Sequence, residues 1–107
     1  MTRWVMLREI AHARAGDKGN RSNVAVYAYE AWHYRAIEAQ LTPERLKAEF
    51  PDLLRGPIRR FALDHLGALN FVMDQALEGG VNESLNLDSH GKSWSFLLLG
   101  LELEIED

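Results

Sequence analysis

Apolar and polar residues alternate at several places along the chain, and each alternation predicts a β-strand. In the clearest of these segments Val24, Val26 and Ala28 alternate with more polar neighbours, and the two valines suit a pleated surface. The predicted strands span residues 4–11, 22–29, 58–65, 85–88 and 94–104. A turn at residues 89–92 joins the last two strands as a hairpin.

Between the strands the apolar residues recur every three or four positions, which is the spacing of an amphipathic helix. The predicted helices span residues 30–41, 43–50 and 66–78. Thr42 caps the second of these, and Pro43 occupies its first position, where the missing N–H of proline costs nothing. Gly79 and Gly80 end the third helix, because glycine readily adopts the left-handed angles of a helix C terminus.

This order of strands and helices predicts an α+β fold, because helices that cross between strands must pack on one sheet. We expect a two-layer ferredoxin-like sandwich, with a mostly antiparallel sheet of about five strands and two main helices on one face. The 107 residues form a single domain, 1–107, since about 100–150 residues is the commonest domain size.

The last predicted strand has apolar side chains on both of its faces. Trp94, Phe96 and Leu98 alternate on the face that a two-layer sandwich would leave to water. A contiguous exposed apolar patch usually marks an interaction site. We therefore expect another subunit, a bound ligand or a long loop of the chain to cover these three residues. Of these we favour an interface with a second copy of the chain, in a homo-oligomer.

Composition and charge exclude several classes of function. The chain has 12 Lys and Arg against 16 Asp and Glu, for a net charge of −4, and this acidic balance argues against nucleic acid as a partner. Without cysteine there is no disulfide framework, thiolate nucleophile or iron–sulfur cluster. The four histidines lack the spacing of metal ligands, so we expect no metal and no cofactor.

The sequence also indicates where in the cell the protein is expected. No targeting segment is visible at the start of the chain, where charged residues interrupt the apolar ones. The longest apolar run falls far short of the roughly 20 residues that span a bilayer as a helix. We expect a cytoplasmic protein that makes no membrane contact.

A glycine-rich loop is the strongest candidate for chemistry. Gly16 and Gly19 flank Asp17 and Lys18, and successive backbone N–H groups in such turns can bind an anion. The alternative is a structural turn in which Asp17 caps the backbone and Lys18 forms an ion pair. The predicted ligand-binding residues are Arg14, Gly16, Asp17, Lys18, Gly19, Asn20 and Asn70.

Three residues are candidates for a catalytic role. Asn70, in the first turn of the predicted 66–78 helix, can stabilise negative charge near a helix N terminus or, alternatively, bind backbone carbonyls and fix that helix on the sheet. His12 and Asp17 are candidates for moving a proton. The alternative for His12 is a structural role, because a histidine at the end of a strand is more often a hydrogen-bonded spacer.

Two segments resemble a known family. The first is Ala11-His12-Ala13-Arg14-Ala15-Gly16-Asp17-Lys18-Gly19-Asn20, and the second runs from Leu66-Gly67-Ala68-Leu69-Asn70-Phe71 to Gly79-Gly80-Val81. With Leu87-Asp88 and Gly91-Lys92 they are similar to the C-terminal ferredoxin-like domain of the acyclic terpene utilisation A (AtuA-like) family. The resemblance implies a link to catabolism of terpenoid or branched acyl-CoA compounds, and a larger N-terminal domain protein as a partner.

Three functions fit these observations. The first is an oligomeric accessory or assembly domain that binds a small anionic molecule at the Gly16–Gly19 loop. The second is an enzyme or enzyme subunit that performs acid/base chemistry, of the enolate, hydration or lyase type, on an acyl-CoA or small carboxylate. The third is a regulatory sensor that binds a metabolite without turnover.

Overall fold

A computed structural model describes residues 2–18, 21–74 and 94–106, with only the backbone described at residues 17 and 18. The strands are β1 (Thr2–Met6), β2 (Ala11–Lys18), β3 (Arg21–Ala28), β4 (Ile58–Leu63), β5 (Ala68–Asp74) and β6 (Glu102–Glu106). The helices are α1 (Leu7–Ile10), α2 (Ala31–Gln40), α3 (Pro43–Glu49) and α4 (Trp94–Leu99), and residues Asp64–Leu66 form a 3-10 turn.

The four longer strands form one antiparallel sheet in the order β2-β3-β5-β4, and β1 pairs separately with β6 as a two-stranded ribbon. In the centre of the sheet Val24 lies opposite Phe71, and Val26 lies opposite Leu69. Directly opposite residues in an antiparallel pair share a face. Since all four are at most 1% exposed, this side of the sheet faces the core.

The helices form a second layer against that side of the sheet. Helices α2 and α4 contact β3, α4 also contacts β2, and α3 contacts β4. The helical layer and the ribbon contribute fully buried side chains to the core, namely Ile37, Leu46, Leu98 and Leu103. Each such side chain stabilises the fold by roughly 1.5–3 kcal/mol. The opposite side of the sheet has no helix among the described residues.

The structure confirms the predicted α+β class and its mostly antiparallel sheet. The main sheet has four strands, against about five predicted, and the other two described strands, β1 and β6, form the ribbon. The start of α3 is as the sequence predicts, because Thr42 Oγ1 accepts a hydrogen bond from the Arg45 N–H at 3.1 Å and Pro43 follows it. Strand β3 also lies within one residue of its predicted bounds.

The predicted strand 4–11 is divided in the structure. Helix α1 interrupts it after Met6, whose backbone N–H donates to Glu9 Oε2 at 3.2 Å across the first turn. Leu7 and Ile10, three residues apart, are both buried by this turn. A continuous strand would place them on opposite faces.

The helix predicted for residues 66–78 is wrong over its described part, since residues 68–74 form β5 in the interior of the sheet. Leu69, Phe71 and Met73 are all fully buried at a period of two, and strands pair with β5 on both sides. The apolar residues of this stretch also recur at helical spacing. Pairing with β3 on one side and β4 on the other decides in favour of a strand. Gly67, at φ +62°, ends the preceding 3-10 turn in the left-handed region.

The strand predicted for residues 94–104 is also wrong in its first half, where α4 forms. Trp94 and Leu98 are four residues apart on this helix and are 3% and 0% exposed, and the Trp94 ring makes an edge contact with Phe50 at 5.4 Å. These two side chains are therefore covered within the chain, without a second copy. Phe96 lies on another face of α4 and is half exposed.

Several predictions fall outside the described residues. These are Gly19 and Asn20 of the loop, the helix end at Gly79 and Gly80, the strand 85–88 and the turn 89–92. Within the described ranges, the helices are all too short or too polar to cross a membrane.

Helix α2 is joined to the ribbon by one side chain. Gln40 donates through Nε2 to the Glu104 carbonyl oxygen at 2.6 Å and accepts the Glu104 N–H through Oε1 at 2.8 Å. Arg45 of α3 donates to the Glu102 carbonyl oxygen at 2.6 Å. The end of α2 and the start of α3 therefore hold the backbone of β6 in place.

We expect Gln40→Ala to lower the free energy of unfolding by about 1–2 kcal/mol, because it removes two hydrogen bonds that join separate elements. Urea denaturation of both proteins measures the difference. Lys47→Ala, an exposed change on α3, is the control and should stay within about 0.5 kcal/mol of the parent protein. Equal losses in the two variants would contradict this role for Gln40.

Candidate functional site

The side of the sheet away from the helices, here called the open face, carries the candidate site. The strand register places on it, in rows that run across the strands, His12 with Tyr27, Arg14 with Ala25, Asn70 and Phe61, and Gly16 with Asn23, Val72 and Arg59. Arg21 and Asp74 form a further pair at one end.

A depression of about 480 Å³ lies on the open face. It is lined by Gly16, Arg21, Asn23, Arg59, Phe61, Asn70 and Val72. Two of the predicted ligand-binding residues, Gly16 and Asn70, are thus brought together, and Arg14 lies on the same face two residues from Gly16.

Gly16 forms part of the depression because a side chain would not fit there without displacement. A Cβ atom at Gly16 would lie 3.1 Å from Asn23 Oδ1, closer than almost all carbon contacts. Gly16 is paired with Asn23 within the β2–β3 ladder, so its role here is to admit the neighbouring amide.

Asn70 lies in the middle of β5, not in the first turn of a helix as predicted. Its neighbours across the sheet are Ala25 on one side and Phe61 on the other. Asn70 Oδ1 is buried and has no hydrogen-bond partner among the described residues. An unpaired buried polar atom costs about 1–3 kcal/mol. The predicted structural use of Asn70, in which its amide binds backbone carbonyls and fixes a helix on the sheet, does not apply because Asn70 lies in a strand.

Positive charge is concentrated around this depression although the whole chain is acidic. Arg21 Nε donates to Asp74 Oδ1 at 2.9 Å, which partly neutralises that pair. Arg14 and Arg59 form no ion pair within the part of the chain that the structure describes, and both are exposed. Among the described residues, the open face therefore has two guanidinium groups without an ionic partner.

Arg60 shows that this arrangement depends on strand alternation. It is the next residue after Arg59, yet its Nη1 donates to the carbonyl oxygens of Glu38 and Leu41, at 2.7 and 2.9 Å, at the end of α2. One arginine of β4 thus holds a helix terminus, and its neighbour faces the depression.

The remaining predicted residues lie elsewhere on the sheet or at its end. The His12 ring stacks on Tyr27 with centroids 5.0 Å apart and on Tyr29 at 5.6 Å. By backbone register, Asp17 pairs with Ser22 and Lys18 with Arg21 at the far end of the β2–β3 ladder. His12 does not line the depression.

Sequence reasoning missed Arg59, Asn23 and Phe61. A signal was present, because Arg59 and Phe61 lie two residues apart on a correctly predicted strand and so share a face. The face of the sheet on which Arg59 and Phe61 lie can be assigned only once β5 is known to be the neighbouring strand. The sequence predicts a helix at β5, so this assignment fails. Among the described residues, no group of three or more His, Asp or Glu could hold a metal ion.

A second depression, of about 530 Å³, lies where α2 meets the 3-10 turn. Tyr34, which is 7% exposed, donates its hydroxyl to Asp64 Oδ1 at 2.6 Å. Burial, together with this hydrogen bond to the Asp64 carboxylate, raises the pKa of Tyr34 from 10.0 to about 12. This contact joins α2 to the end of β4.

We expect Asn70→Val to leave the free energy of unfolding unchanged or to raise it by up to about 1 kcal/mol. The change removes a buried oxygen without a partner and introduces a good strand former. Chemical denaturation measures it, with Val72→Ala on the same strand as a control that should be destabilised. A loss above about 1 kcal/mol in Asn70→Val would show that its amide has a structural partner.

We expect the stability of the protein to fall as the pH rises from about 10 to about 12. The folded chain holds the Tyr34 proton more tightly than the unfolded chain, so this contribution is complete below pH 10 and lost above 12. Urea midpoints at pH 9, 10, 11 and 12 measure this loss of stability, which should appear in the parent protein and in Tyr29→Phe. The part of the loss that Tyr34 causes should be missing in Tyr34→Phe, and the same fall in the midpoint there would contradict the assignment.

Comparison with known proteins bears on the whole chain. Residues 5–104 match the family model described as the AtuA ferredoxin-like domain, which covers nearly all of the sequence and both faces of the sheet. Searches of the curated proteins and of the solved structures returned no match.

Proposed function

The chain belongs to the family of AtuA ferredoxin-like domains, and we propose that its open face binds a small organic anion. The observation that carries the proposal is the juxtaposition of Asn70 and Asn23 with Arg59, next to Gly16, in one depression. A carboxylate or phosphate accepts hydrogen bonds from guanidinium and amide groups, and such charge-assisted bonds are the stronger ones.

Apolar side chains in the same depression support an organic ligand. Phe61 is 46% exposed, and Val72 lies beside it on the neighbouring strand. An exposed aromatic ring beside the amides of Asn23 and Asn70 fits a ligand with a carbon skeleton attached to its charged group. The resemblance to the acyclic terpene utilisation A family makes terpenoid or branched acyl-CoA compounds, and the corresponding carboxylates, the first ligands to examine.

The lining also favours binding over acid/base chemistry. Its described side chains are arginines, amides and apolar groups, which hold and orient an anion. His12, the predicted proton carrier, stacks between tyrosines outside the lining. In this proposal the chain acts as an accessory ligand-binding domain, with a larger AtuA-type N-terminal domain protein as its partner.

We expect Arg59→Ala to weaken binding of pyrophosphate, coenzyme A or a branched carboxylate about ten-fold or more, because a charge-assisted hydrogen bond contributes about 1.5–3 kcal/mol. Isothermal titration calorimetry at low salt measures the affinity. Arg55→Ala is the matched control, since Arg55 is also exposed and, in the part of the chain that the structure describes, bonds to the Asp52 carbonyl oxygen away from the depression.

Two results would contradict the proposal. The first is equal weakening by Arg55→Ala, which would mean that only the overall charge matters. The second is the absence of binding by every anion to the parent protein at millimolar concentration. A gain in thermal stability with ligand, lost in Arg59→Ala, would provide independent support.

A further inference from the structure

An aromatic row borders the anion site on the open face. His12 and Tyr27 face each other across β2 and β3, with ring planes 12° apart and centroids at 5.0 Å. Tyr29 adds a third ring, 5.6 Å from His12, and is 59% exposed. His12 and Tyr29 are exposed and Tyr27 is half-buried, so the stack presents aromatic surface to solvent and marks a surface for interaction.

The geometry of β2 and β3 fixes the distance from the aromatic row to the next row of the open face, which contains Arg14, Ala25 and Asn70. His12 and Arg14 are two residues apart on β2, and Tyr27 and Ala25 are two apart on β3. One such step is about 6.8 Å along a strand. Ala25, opposite both Arg14 and Asn70, keeps the surface low between the rings and the amide.

From this juxtaposition we propose that the anion bound on the open face is a nucleotide, or a molecule with a nucleotide portion, whose base stacks on the His12–Tyr27–Tyr29 rings. This inference rests on the anion site proposed above. The phosphates bind at Arg14, Arg59 and Asn70, and the ribose crosses Ala25. A flat base has a π-face that stacks on aromatic side chains, and each such contact is worth about a ten-fold gain in affinity or more.

A mononucleotide fits these features better than a nucleic acid strand. The chain carries a net charge of −4, which opposes the approach of a long polyanion. Within the described ranges, the face has one ring stack beside Arg14 and Arg59, which have no ionic partner there, and this matches one base and one phosphate group. A simple carboxylate would leave the rings unused.

Calorimetry with ADP and with inorganic pyrophosphate separates the base from the phosphates. We expect ADP to bind the full chain at least ten-fold more tightly than pyrophosphate. Tyr29→Ala should remove most of this difference while leaving pyrophosphate binding unchanged, and Tyr29→Phe, which keeps the ring, should retain it. Arg59→Ala should weaken both ligands.

The outcomes distinguish the two proposals. Equal affinity for ADP and pyrophosphate, or a Tyr29→Ala variant that binds ADP normally, would overturn the nucleotide inference and leave the anion site intact. Failure of both ligands to bind would overturn the nucleotide inference, and the anion site falls with it only if the carboxylates also fail to bind. Tighter binding of a short single-stranded oligonucleotide than of ADP would overturn it in favour of nucleic acid. Thermal unfolding of each variant checks that the exposed changes preserve the fold.

Discussion

The pairing of β3 with β5 is the constraint on which the rest of the structure depends. Val24 against Phe71 and Val26 against Leu69 bury four side chains on one side of the sheet. Because side chains alternate along a strand, this fixes Asn23, Ala25, Asn70 and Val72 on the other side. A slip of one residue would bury Asn70 and expose Phe71, so the core that stabilises the fold also sets the position of the site.

The sequence predicts an element well where its apolar residues fit only one of the two periods, that of a strand or that of a helix. It predicts poorly where they fit both. Val24 and Val26 alternate without ambiguity, and Thr42-Pro43 starts a helix by local chemistry, so β3 and α3 follow from the sequence. Residues 68–74 and 94–99 are apolar at both periods, and only their neighbours decide between strand and helix. The α+β class survives both errors because the remaining elements already require a sheet with one helical layer.

The site shows the same division. Gly16 and Asn70 attract attention in the sequence as parts of a glycine-rich loop and of a predicted helix start, although both lie in strands, where each is a poor strand former. Arg59 and Phe61 look ordinary until the register of β4 against β5 is known. Local composition thus points to residues that are unusual for their element, and topology is needed to gather the ordinary ones around them.

The contacts of Gln40 and Arg45 with β6 have a consequence for assembly. Sheet edges with free N–H and C=O groups recruit further strands from other chains. On β6 the backbone groups of Glu104 and the carbonyl of Glu102 already have side-chain partners from α2 and α3. Strand addition at that edge is therefore blocked from within, and an assembly of this domain would have to form face to face or through another edge.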